Sequence, residues 1–575
     1  MDFKFKKSPV VSYTLKTMKT ISTIICLIMI NVAVGQTTYY ISLTGNNNND
    51  GLSTTTPFKD INHAASTALH GDTILVMPGT YTNTTFGDGD IWKTDRTFVI
   101  NNKTNNTNTS YLTIRPMTPG TVIVKGDGIH IIQVKNSSYI RVEGFITQGE
   151  LVNIPLSLAL QYQFTYKDSD GNLQERVPLG SSKEEIAALV LPILSNITRP
   201  TYFNTSGISV NSSHHIDIIN NEVFDMPGEG IRSFKSDYLN IIKNTVYDCS
   251  QRSATGVHGL SVYILDSSID TNSNGDDGVR VLIAQNKVYD NFNEIYSWSK
   301  TKTLITPHLD EGKGITVQRC TSNYNWNIGK IRIENNLVYG NGFSGIQINE
   351  GSRVEVVNNT CYENNYTSRI TNEGIQHGIS VQGGNDILIS NNIIQADPSV
   401  TNGKAIKLSP NSGNSGFITI TDNLVFGNLG NNAGEIDVNT ITNSPLFKNP
   451  VGGDFSLQVG SPAINVANTL YAPLKDFEGT NRDANPDLGA IEYSAILGIN
   501  DFESSKFEFF PNPTTNSITV KGLLFEKKDV TIYNMIGQNI THNIMINGNN
   551  IDISNLLSGV YTLKIKTFVN QIYKK

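Results

Sequence analysis

The middle of the chain repeats one short motif, seen clearly in Asn336-Leu337-Val338-Tyr339 and again in Asn359-Thr360-Cys361-Tyr362. Its other copies are Asn221-Glu222-Val223-Phe224, Asn244-Thr245-Val246-Tyr247, Asn286-Lys287-Val288-Tyr289 and Asn423-Leu424-Val425-Phe426. Two pairs of neighbouring copies are 23 residues apart, and an alternating apolar segment precedes each Asn. A unit this short cannot bury its own apolar face, whereas stacked units bury a continuous column of Ile, Val and Leu. The repeat therefore predicts an all-β solenoid, a right-handed parallel β-helix.

The Asn that opens each copy has a predicted structural role. At a fixed turn of every coil, its side-chain amide can pass hydrogen bonds to the next coil, as in other ladders of stacked strands. Leucine-rich repeats are the alternative class of solenoid. Their regular Leu spacing is absent from this sequence, which disfavours them.

Composition narrows the class of protein further. The chain has 575 residues, of which 38% are hydrophobic and 17% charged, and this balance excludes a charged disordered chain, a collagen and a polytopic membrane protein. A formal net charge of -7 predicts that nucleic acid is not a partner. Four cysteines are too few for a disulfide scaffold, and Cys361 stands where other repeats have Val, which predicts a small buried side chain.

The N-terminal segment has the pattern of a secretory signal peptide. Lys16 and Lys19 precede an apolar run, residues 21–34, that ends in small residues just before Gln36. The run is too short for a comfortable membrane span. We therefore predict that residues 1–35 are a signal peptide and that the protein is exported rather than integral to the membrane.

The C-terminal segment begins a new composition at Phe509-Phe510-Pro511-Asn512-Pro513. Alternating apolar residues between Gly and Asn turns predict a small antiparallel β-sandwich over residues 506–575, after a linker at 496–505. The order of its motifs resembles the C-terminal sorting domain of the type IX secretion system of Bacteroidota. That resemblance implies export through the periplasm to the surface or the medium, with the type IX machinery as a partner. A sugar-binding sandwich is the alternative interpretation.

The body of the chain, residues 36–495, resembles secreted β-helix proteins of the pectate-lyase superfamily at both of its ends. The motifs that carry the resemblance lie between Tyr39 and Tyr81 and in Asp487-Leu488-Gly489-Ala490-Ile491-Glu492. The resemblance implies a short helix, at about residues 60–69, that covers the first coil.

Two insertions interrupt the predicted coils, near residues 150–200 and 292–309. The first contains Ser182-Lys183-Glu184-Glu185, a capping box that predicts a short helix. The second carries aromatic residues, Phe292, Tyr296 and Trp298, that either stack on sugar rings or pack against the solenoid. Loops on one side of a solenoid usually build its binding site.

A second motif, Gly-Ile-x-apolar-x, predicts a ribbon of polar side chains along one flank. Its copies begin at Gly230, Gly259, Gly314, Gly345 and Gly378. Strand periodicity sends Arg232, Tyr263, Gln318, Gln347, Asn349 and Gln382 outward, and Glu229, His258, Lys313 and His377 come directly before a Gly. Coils about 4.8 Å apart bring equivalent residues into register. Cationic, imidazole and amide groups on an acidic protein suit an elongated anionic polymer.

The pectate-lyase resemblance implies a chemistry for this ribbon. β-Helix polysaccharide lyases neutralise a uronate carboxylate, remove the proton beside it with a base and expel the linked sugar oxygen; the neutralisation stabilises the developing charge. Arg232 or a bound cation is the expected neutralising group, and Lys313, His258 or Tyr263 is the expected base, with another of them as acid. His258 needs the least pKa tuning for this role. Gln318, Gln347, Asn349, His377 and Gln382 are the expected substrate-binding residues.

A calcium site is a further prediction. Asp270-x-Asn272-x-Asn274-Gly275, followed by Asp276-Asp277-Gly278, matches the first half of a calcium-binding loop, although Val281 replaces the Glu expected at the end. The candidate ligands of Ca²⁺ are Asp270, Asp276, Asp277 and Glu311. A solvated turn is the alternative interpretation.

Together these features predict a secreted lyase that acts on a uronate-containing anionic polysaccharide of algal or plant origin, such as ulvan, alginate or pectin. A β-helix glycoside hydrolase is the nearest alternative, with a carboxylate pair drawn from Glu229, Asp310 and Glu311. The third possibility, from a different class, is a non-catalytic carbohydrate-binding surface protein.

Overall fold

The computed structural model describes residues 35–105, 109–174, 178, 181–270, 277–295, 309, 311–364, 377–396, 404–408, 417–427, 439–494, 508–521, 525–566 and 568–575. The expected linker and all but the last residue of the expected signal peptide lie outside these ranges, as do Asp276, Tyr296, Trp298 and Asp310. The chain divides into two compact units after Tyr493.

The first unit is built almost entirely from short strands. In chain order they are β1 (Thr38–Ile41), β2 (Thr73–Val76), β3 (Gly79–Tyr81), β4 (Arg96–Asn101), β5 (Leu112–Pro116), β6 (Val122–Lys125), β7 (His130–Lys135), β8 (Ser138–Glu143), β9 (Ile146–Gln148), β10 (Tyr166–Lys167), β11 (Leu173–Gln174), β12 (Ser206–Asn211), β13 (His214–Ile219), β14 (Glu222–Phe224), β15 (Ile231–Phe234), β16 (Asp237–Ile242), β17 (Thr245–Tyr247), β18 (Leu260–Tyr263), β19 (Val279–Ala284), β20 (Lys287–Tyr289), β21 (Ile315–Cys320), β22 (Lys330–Glu334), β23 (Leu337–Tyr339), β24 (Ser344–Val357), β25 (Thr360–Tyr362), β26 (His377–Ser390), β27 (Ile393–Gln395), β28 (Lys404–Leu408), β29 (Ile418–Thr421), β30 (Leu424–Phe426), β31 (Phe447–Asn449) and β32 (Asp454–Leu457).

Three parallel faces run along this unit, because each coil contributes one strand to each face. The first face contains β4, β7, β12, β15, β18, β21, the first halves of β24 and β26, and β28. The second contains β1, β2, β5, β8, β13, β16, β19, β22, the second halves of β24 and β26, and β29. The third contains β3, β6, β9, β14, β17, β20, β23, β25, β27 and β30. The first unit is the right-handed parallel β-helix that the repeat predicts.

The Asn-x-apolar-aromatic motif forms the third face and the turn before it. Its third residue points into the apolar core of the solenoid, and Cys361 pairs in register with Val338 there, which confirms its expected role as a small buried side chain. The motif Asn residues form the predicted ladder: Asn286 Nδ2, for example, donates to Asn336 Oδ1 at 3.0 Å, and Asn336 Nδ2 donates to Asn359 Oδ1 at 2.9 Å.

Both predicted helices are present. Helix α1 (Ile61–Thr67) buries Ile61, Ala64 and Ala65 in the core at the start of the solenoid. The first insertion contains α2 (Leu156–Gln161) and α3 (Lys183–Val190). The predicted capping box begins α3, where Glu185 N donates to Ser182 Oγ at 3.2 Å and Ser182 N donates to Glu185 Oε2 at 2.8 Å. Within the part of the chain described, no helix has the length and apolar character needed to span a membrane.

The second unit contains β33 (Glu508–Phe510), β34 (Ser517–Lys521), β35 (Val530–Tyr533), β36 (Met545–Asn547), β37 (Asn550–Asp552), β38 (Gly559–Ile565) and β39 (Phe568–Lys574). These strands form two antiparallel sheets, ordered β33-β34-β37-β36 and β35-β38-β39. They bury a core of their own that includes Ile518, Ile532, Ile551 and Leu563. The small antiparallel sandwich predicted for this segment is therefore confirmed.

Candidate functional site

Three rows of side chains cross the first face, and they contain most of the predicted site. Row 1 comes just before the strands and consists of Glu229, His258, Lys313, Ser344 and His377. Backbone hydrogen bonds hold it in register: Gly230 N donates to His258 O at 3.2 Å, and Gly259 N donates to Lys313 O at 2.9 Å. Row 2 is Arg232, Ser261, Thr316, Gln347 and Ser380, and row 3 is Phe234, Tyr263, Gln318, Asn349 and Gln382. Residues from five coils thus meet on one flank.

Most of row 2 is buried, so this row is not the solvent-exposed ribbon that strand periodicity predicts. Arg232 keeps 30% of its side chain exposed, but Ser261, Thr316, Gln347 and Ser380 are buried. Row 3 is half-buried throughout. Strand periodicity predicts the row to which a residue belongs. It does not predict the solvent exposure of the side chain, because that exposure depends on neighbouring loops.

Glu311 is at the centre of a polar cluster that includes two residues of row 1, His258 and Lys313. Its Oε2 accepts a hydrogen bond from Lys313 Nζ at 2.7 Å and lies 3.8 Å from His258 Nε2. All three side chains are at most 10% exposed. The ion pair of Lys313 and Glu311 is therefore well shielded from water. Charge–charge interactions are stronger in such a buried environment than in water.

A glycine shapes the turn that presents this cluster. Gly312 has φ +70, and a Cβ there would lie 2.3 Å from the Cα of Phe292. Only glycine fits both the left-handed backbone and the close approach. Phe292 is buried beside this turn, so it packs within the protein rather than offering an open ring for a sugar.

Glu229 and Arg232 form the second charged group of the site. Arg232 Nε lies 3.5 Å from Glu229 Oε2. Burial raises the pKa of Glu229; the positive charge of Arg232 and a hydrogen bond with Ser261 oppose this shift, and the negative charge of Glu311 adds to it. The carboxylate of Glu311 therefore makes Glu229 easier to protonate.

His130 is a functional candidate that the sequence analysis missed. It continues row 1 upstream, where its Nδ1 lies 2.6 Å from Ser206 Oγ. Burial, helped by the positive charges of Arg232 and Arg96, lowers the pKa of His130 to about 3. Gly207-Ile208-Ser209-Val210 has the same pattern as the second motif, so extending the motif search by one coil would have found Ser206, and the coil before it contains His130.

Tyr263 lies in row 3, away from the Glu311 cluster. It stacks on Phe234 with ring centroids 5.5 Å apart, and its OH accepts a hydrogen bond from Arg319 Nη1 at 2.9 Å. Five residues of extended chain, about 16 Å, separate its Cα from that of His258. Of the expected bases, His258 and Lys313 are close together and Tyr263 is not.

The expected substrate-binding residues divide between rows. Gln318, Asn349 and Gln382 belong to row 3, whereas Gln347 is buried in row 2 and donates from Nε2 to Gln382 Oε1 at 3.3 Å. His377 is buried in row 1, edge-on to the ring of Phe343 at 5.2 Å. That same ring lies 5.2 Å from Lys313 Nζ, so it contacts both His377 and Lys313 of row 1.

The candidate calcium ligands lie in different surroundings. Asp270 is buried beside His215, with Oδ2 3.9 Å from Nδ1. Asp277 accepts a hydrogen bond from Arg353, and Glu311 accepts one from Lys313. Calcium takes six to eight oxygen ligands, so imidazole and cationic partners of this kind do not fit a calcium site. The described candidates are thus paired with imidazole and cationic groups, Asp276 lies outside the described residues, and calcium binding by the set stays a prediction.

The first insertion packs beside the turns that lead into row 1. Arg252 Nε donates to Ile154 O at 2.9 Å, and the hydroxyls of Ser253 and Thr255 donate to Asn204 Oδ1. An apolar cluster of Ile154, Ala159, Phe203, Ala254 and Ile295 supports the contact. The insertion thereby fixes the loop that ends at His258.

The fold and these rows define a parallel β-helix with a buried polar cluster on one flank, followed by an antiparallel sandwich. Residues 508–575 match the family described as the secretion system C-terminal sorting domain. This match indicates export by the type IX system to the cell surface or the extracellular space, as the sequence predicts. Cleavage of residues 1–35 as a signal peptide stays a prediction.

Solved structures resemble the chain at low identity. A pectate lyase, Pel9A, is 15% identical with a TM-score of 0.42, and the match covers 80% of this chain and 98% of that one. The complex of XylC with xylose is 11% identical with a TM-score of 0.37 over 79% and 98% of the two chains. Alginate lyase from Paenibacillus sp. str. FPU-7 is 14% identical with a TM-score of 0.32 over 67% and 95%. None of the curated proteins matches the sequence.

Proposed function

We propose that this protein is a polysaccharide lyase that cleaves a uronate-containing anionic polysaccharide by β-elimination at the cluster around Glu311. The observation that carries the proposal is the meeting of an imidazole, an ammonium and a guanidinium group, from His258, Lys313 and Arg232, around two buried carboxylates. Such a set offers a base, an acid and a group that neutralises a substrate carboxylate.

Arg232 is the group proposed to receive the uronate carboxylate. Its side chain is 30% exposed, more than the other charged side chains of the cluster. The buried carboxylate of Glu229, 3.5 Å from Arg232 Nε, positions it. An arginine can bind a carboxylate with two parallel hydrogen bonds. Neutralising that carboxylate lowers the energy of the carbanion-like transition state, which is where electrostatic stabilisation contributes most to the rate.

Proton transfer is assigned to His258 and Lys313. His258 Nε2 takes the proton from the carbon beside the carboxylate, the electron pair forms a carbon–carbon double bond, and the bond to the glycosidic oxygen breaks. Lys313 Nζ then donates a proton to that oxygen. The same Glu311 oxygen lies near both groups, at 3.8 Å and 2.7 Å, so it orients the two and offers a route for the proton to return.

The test is a panel of polysaccharides that includes alginate, ulvan and pectin, followed by near-ultraviolet absorption of the unsaturated uronate product. His258→Gln and Lys313→Ala should each lower kcat by about 100-fold to 10,000-fold, the usual contribution of an acid or base. Lys135→Ala is the matched control, because Lys135 is an exposed lysine of the first face that lies two coils upstream of Phe234. Near-normal rates in both site variants would refute the assignment.

A glycoside hydrolase is the second candidate, favoured by the two carboxylates. The raised pKa of Glu229 suits a general acid, and Glu311 would serve as the second carboxylate. This reaction yields new reducing ends without an unsaturated product, and Glu229→Gln should then abolish it. Under the lyase proposal, Glu229 only positions Arg232, so the same variant should retain more activity than His258→Gln. Binding without any product would overturn both candidates.

A further inference from the structure

A cluster of two histidines and an aspartate lies on the second face, separate from the rows described above. His214 and His215 open β13, and their Nδ1 atoms are 2.9 Å apart. Asp270 Oδ2 lies 3.9 Å from His215 Nδ1, and potential ligand atoms of all three residues lie within 4.8 Å of one another. The chain brings Asp270 to this place from the loop after β18.

The histidines are held by an unusual stack of side chains. The ring of His215 lies between those of Tyr139 and Tyr238, at centroid distances of 4.5 Å and 4.2 Å and interplanar angles of 18° and 13°. Arg280 continues the stack, with its guanidinium 4.2 Å from the Tyr238 ring. His214 meets Tyr139 edge-on at 6.0 Å. The orientation of both imidazoles is therefore fixed by packing before any ligand arrives.

We propose that His214, His215 and Asp270 bind one divalent ion of the zinc class. Two imidazole nitrogens and one carboxylate oxygen are the donor set that Zn²⁺, Co²⁺ and Ni²⁺ accept, whereas Ca²⁺ requires oxygen donors throughout. Two nitrogens 2.9 Å apart, each about 2.1 Å from an ion, subtend an angle of about 90°, and they separate to about 3.4 Å when they take the tetrahedral angle that Zn²⁺ prefers. Water completes the coordination.

The bound ion has a structural consequence that is independent of the proposed lyase reaction. Asp270 belongs to a loop, while the histidines belong to a coil of the solenoid whose neighbours are β8 and β16. An ion held by all three ties this loop to the second face. Its loss would therefore lower the melting temperature without removing a group that touches the substrate.

The experiment uses tag-free mature protein, stripped with EDTA and titrated with Zn²⁺ by calorimetry and with Co²⁺ by visible absorption. We expect one ion per chain, a rise in melting temperature on Zn²⁺ addition, and no displacement of Co²⁺ by excess Ca²⁺. His214→Gln and Asp270→Asn, which are close in shape to the native side chains, should each weaken Zn²⁺ binding by at least about 10-fold to 100-fold.

His542→Gln is the control, because His542 is exposed in the second unit and should leave the affinity unchanged. The melting temperatures of all variants in EDTA show whether they are folded. A stripped wild type that takes up no stoichiometric ion would overturn the proposal, and so would ion binding that persists unchanged in folded His214→Gln and Asp270→Asn proteins. In that case the 2.9 Å contact is a hydrogen bond between two neutral imidazoles.

Discussion

Glu229, His258, Glu311 and Lys313 are each less than a tenth exposed, and each is close to a partner of complementary character. Removing one partner of a buried ion pair leaves the other charge uncompensated, at a cost of about 3–5 kcal/mol. A variant at this site can therefore lose activity by unfolding. Melting temperatures measured beside the kinetics separate a lost chemical group from a lost fold.

His130 should make the stability of the folded protein depend on pH. Its pKa is lowered to about 3 in the folded protein, against an ordinary value of about 6.5. Between these values the unfolded chain binds a proton that the folded chain does not. Above about pH 6.5, His130 is neutral in both states and its stabilising contribution is fully present. As the pH falls from there toward 3, the free energy of unfolding decreases by up to about 1.4 kcal/mol per pH unit.

We expect His130→Asn to reduce this pH dependence. Thermal melts of the variant and the wild type between about pH 6.5 and pH 4 should show a shallower fall of melting temperature in the variant. His63→Asn, on helix α1 and half-exposed, is the control that should retain the wild-type slope. Equal slopes in the wild type and His130→Asn would contradict the assignment.

The residues of the site were only partly predictable. Glu229, Arg232, His258 and Lys313 follow from the Gly-Ile motif, because the motif fixes register and register places them together. The contact of Glu311 with His258 was not predictable, since it depends on a turn that packs against Phe292. The pairing of Asp270 with His215 likewise depends on how a loop folds over the second face, which no periodic pattern describes.

Two ladders of Asn side chains connect successive coils at their turns. One Asn ladder runs along the turn before the third face, and a second, Asn291–Asn341–Asn364, runs along the turn after it. The sequence motif predicts the first ladder because each Asn has a fixed place relative to the aromatic residue. The second was not predicted, although its Asn residues also keep a constant spacing from that ring.

Asn286→Ala tests the ladder. Asn286 Oδ1 accepts from Asn244 N at 2.9 Å and from Asn244 Nδ2 at 3.0 Å, and Asn286 Nδ2 donates to Ile241 O at 2.8 Å. The substitution removes all three hydrogen bonds: Asn244 Nδ2 keeps Ile218 O at 2.8 Å, whereas the buried Asn244 N loses Asn286 Oδ1. A buried group left unsatisfied costs about 1–3 kcal/mol. We expect a clear drop in melting temperature, measured by circular dichroism.

Asn48→Ala is the matched control for the ladder variant, because Asn48 is exposed in a loop near the start of the solenoid. Its melting temperature should equal that of the wild type. If Asn286→Ala also melted with the wild type, the ladder would be a consequence of stacking rather than a source of stability, and the apolar core alone would hold the register of the coils.

The two units of the whole molecule have separate apolar cores. The solenoid core extends from Ile41 to Val425, and the sandwich core from Ile518 to Ile572, with no residue in common. Each unit can therefore satisfy its own burial requirement, which is the physical condition for independent folding. The match of residues 508–575 to a sorting domain gives the smaller unit a role in export.

Removal of residues 494–575 tests this division of labour. The shortened chain should keep the melting temperature of the solenoid, because no residue of the solenoid core is lost. In a bacterium with type IX secretion, the full chain should reach the surface or the medium and the shortened chain should remain in the periplasm, as cell fractionation would show. A fluorescent protein fused to residues 494–575 is the control for sufficiency. Equal export of the shortened and the full chain would mean that the address for transport lies in the solenoid, and the sandwich would then need another role.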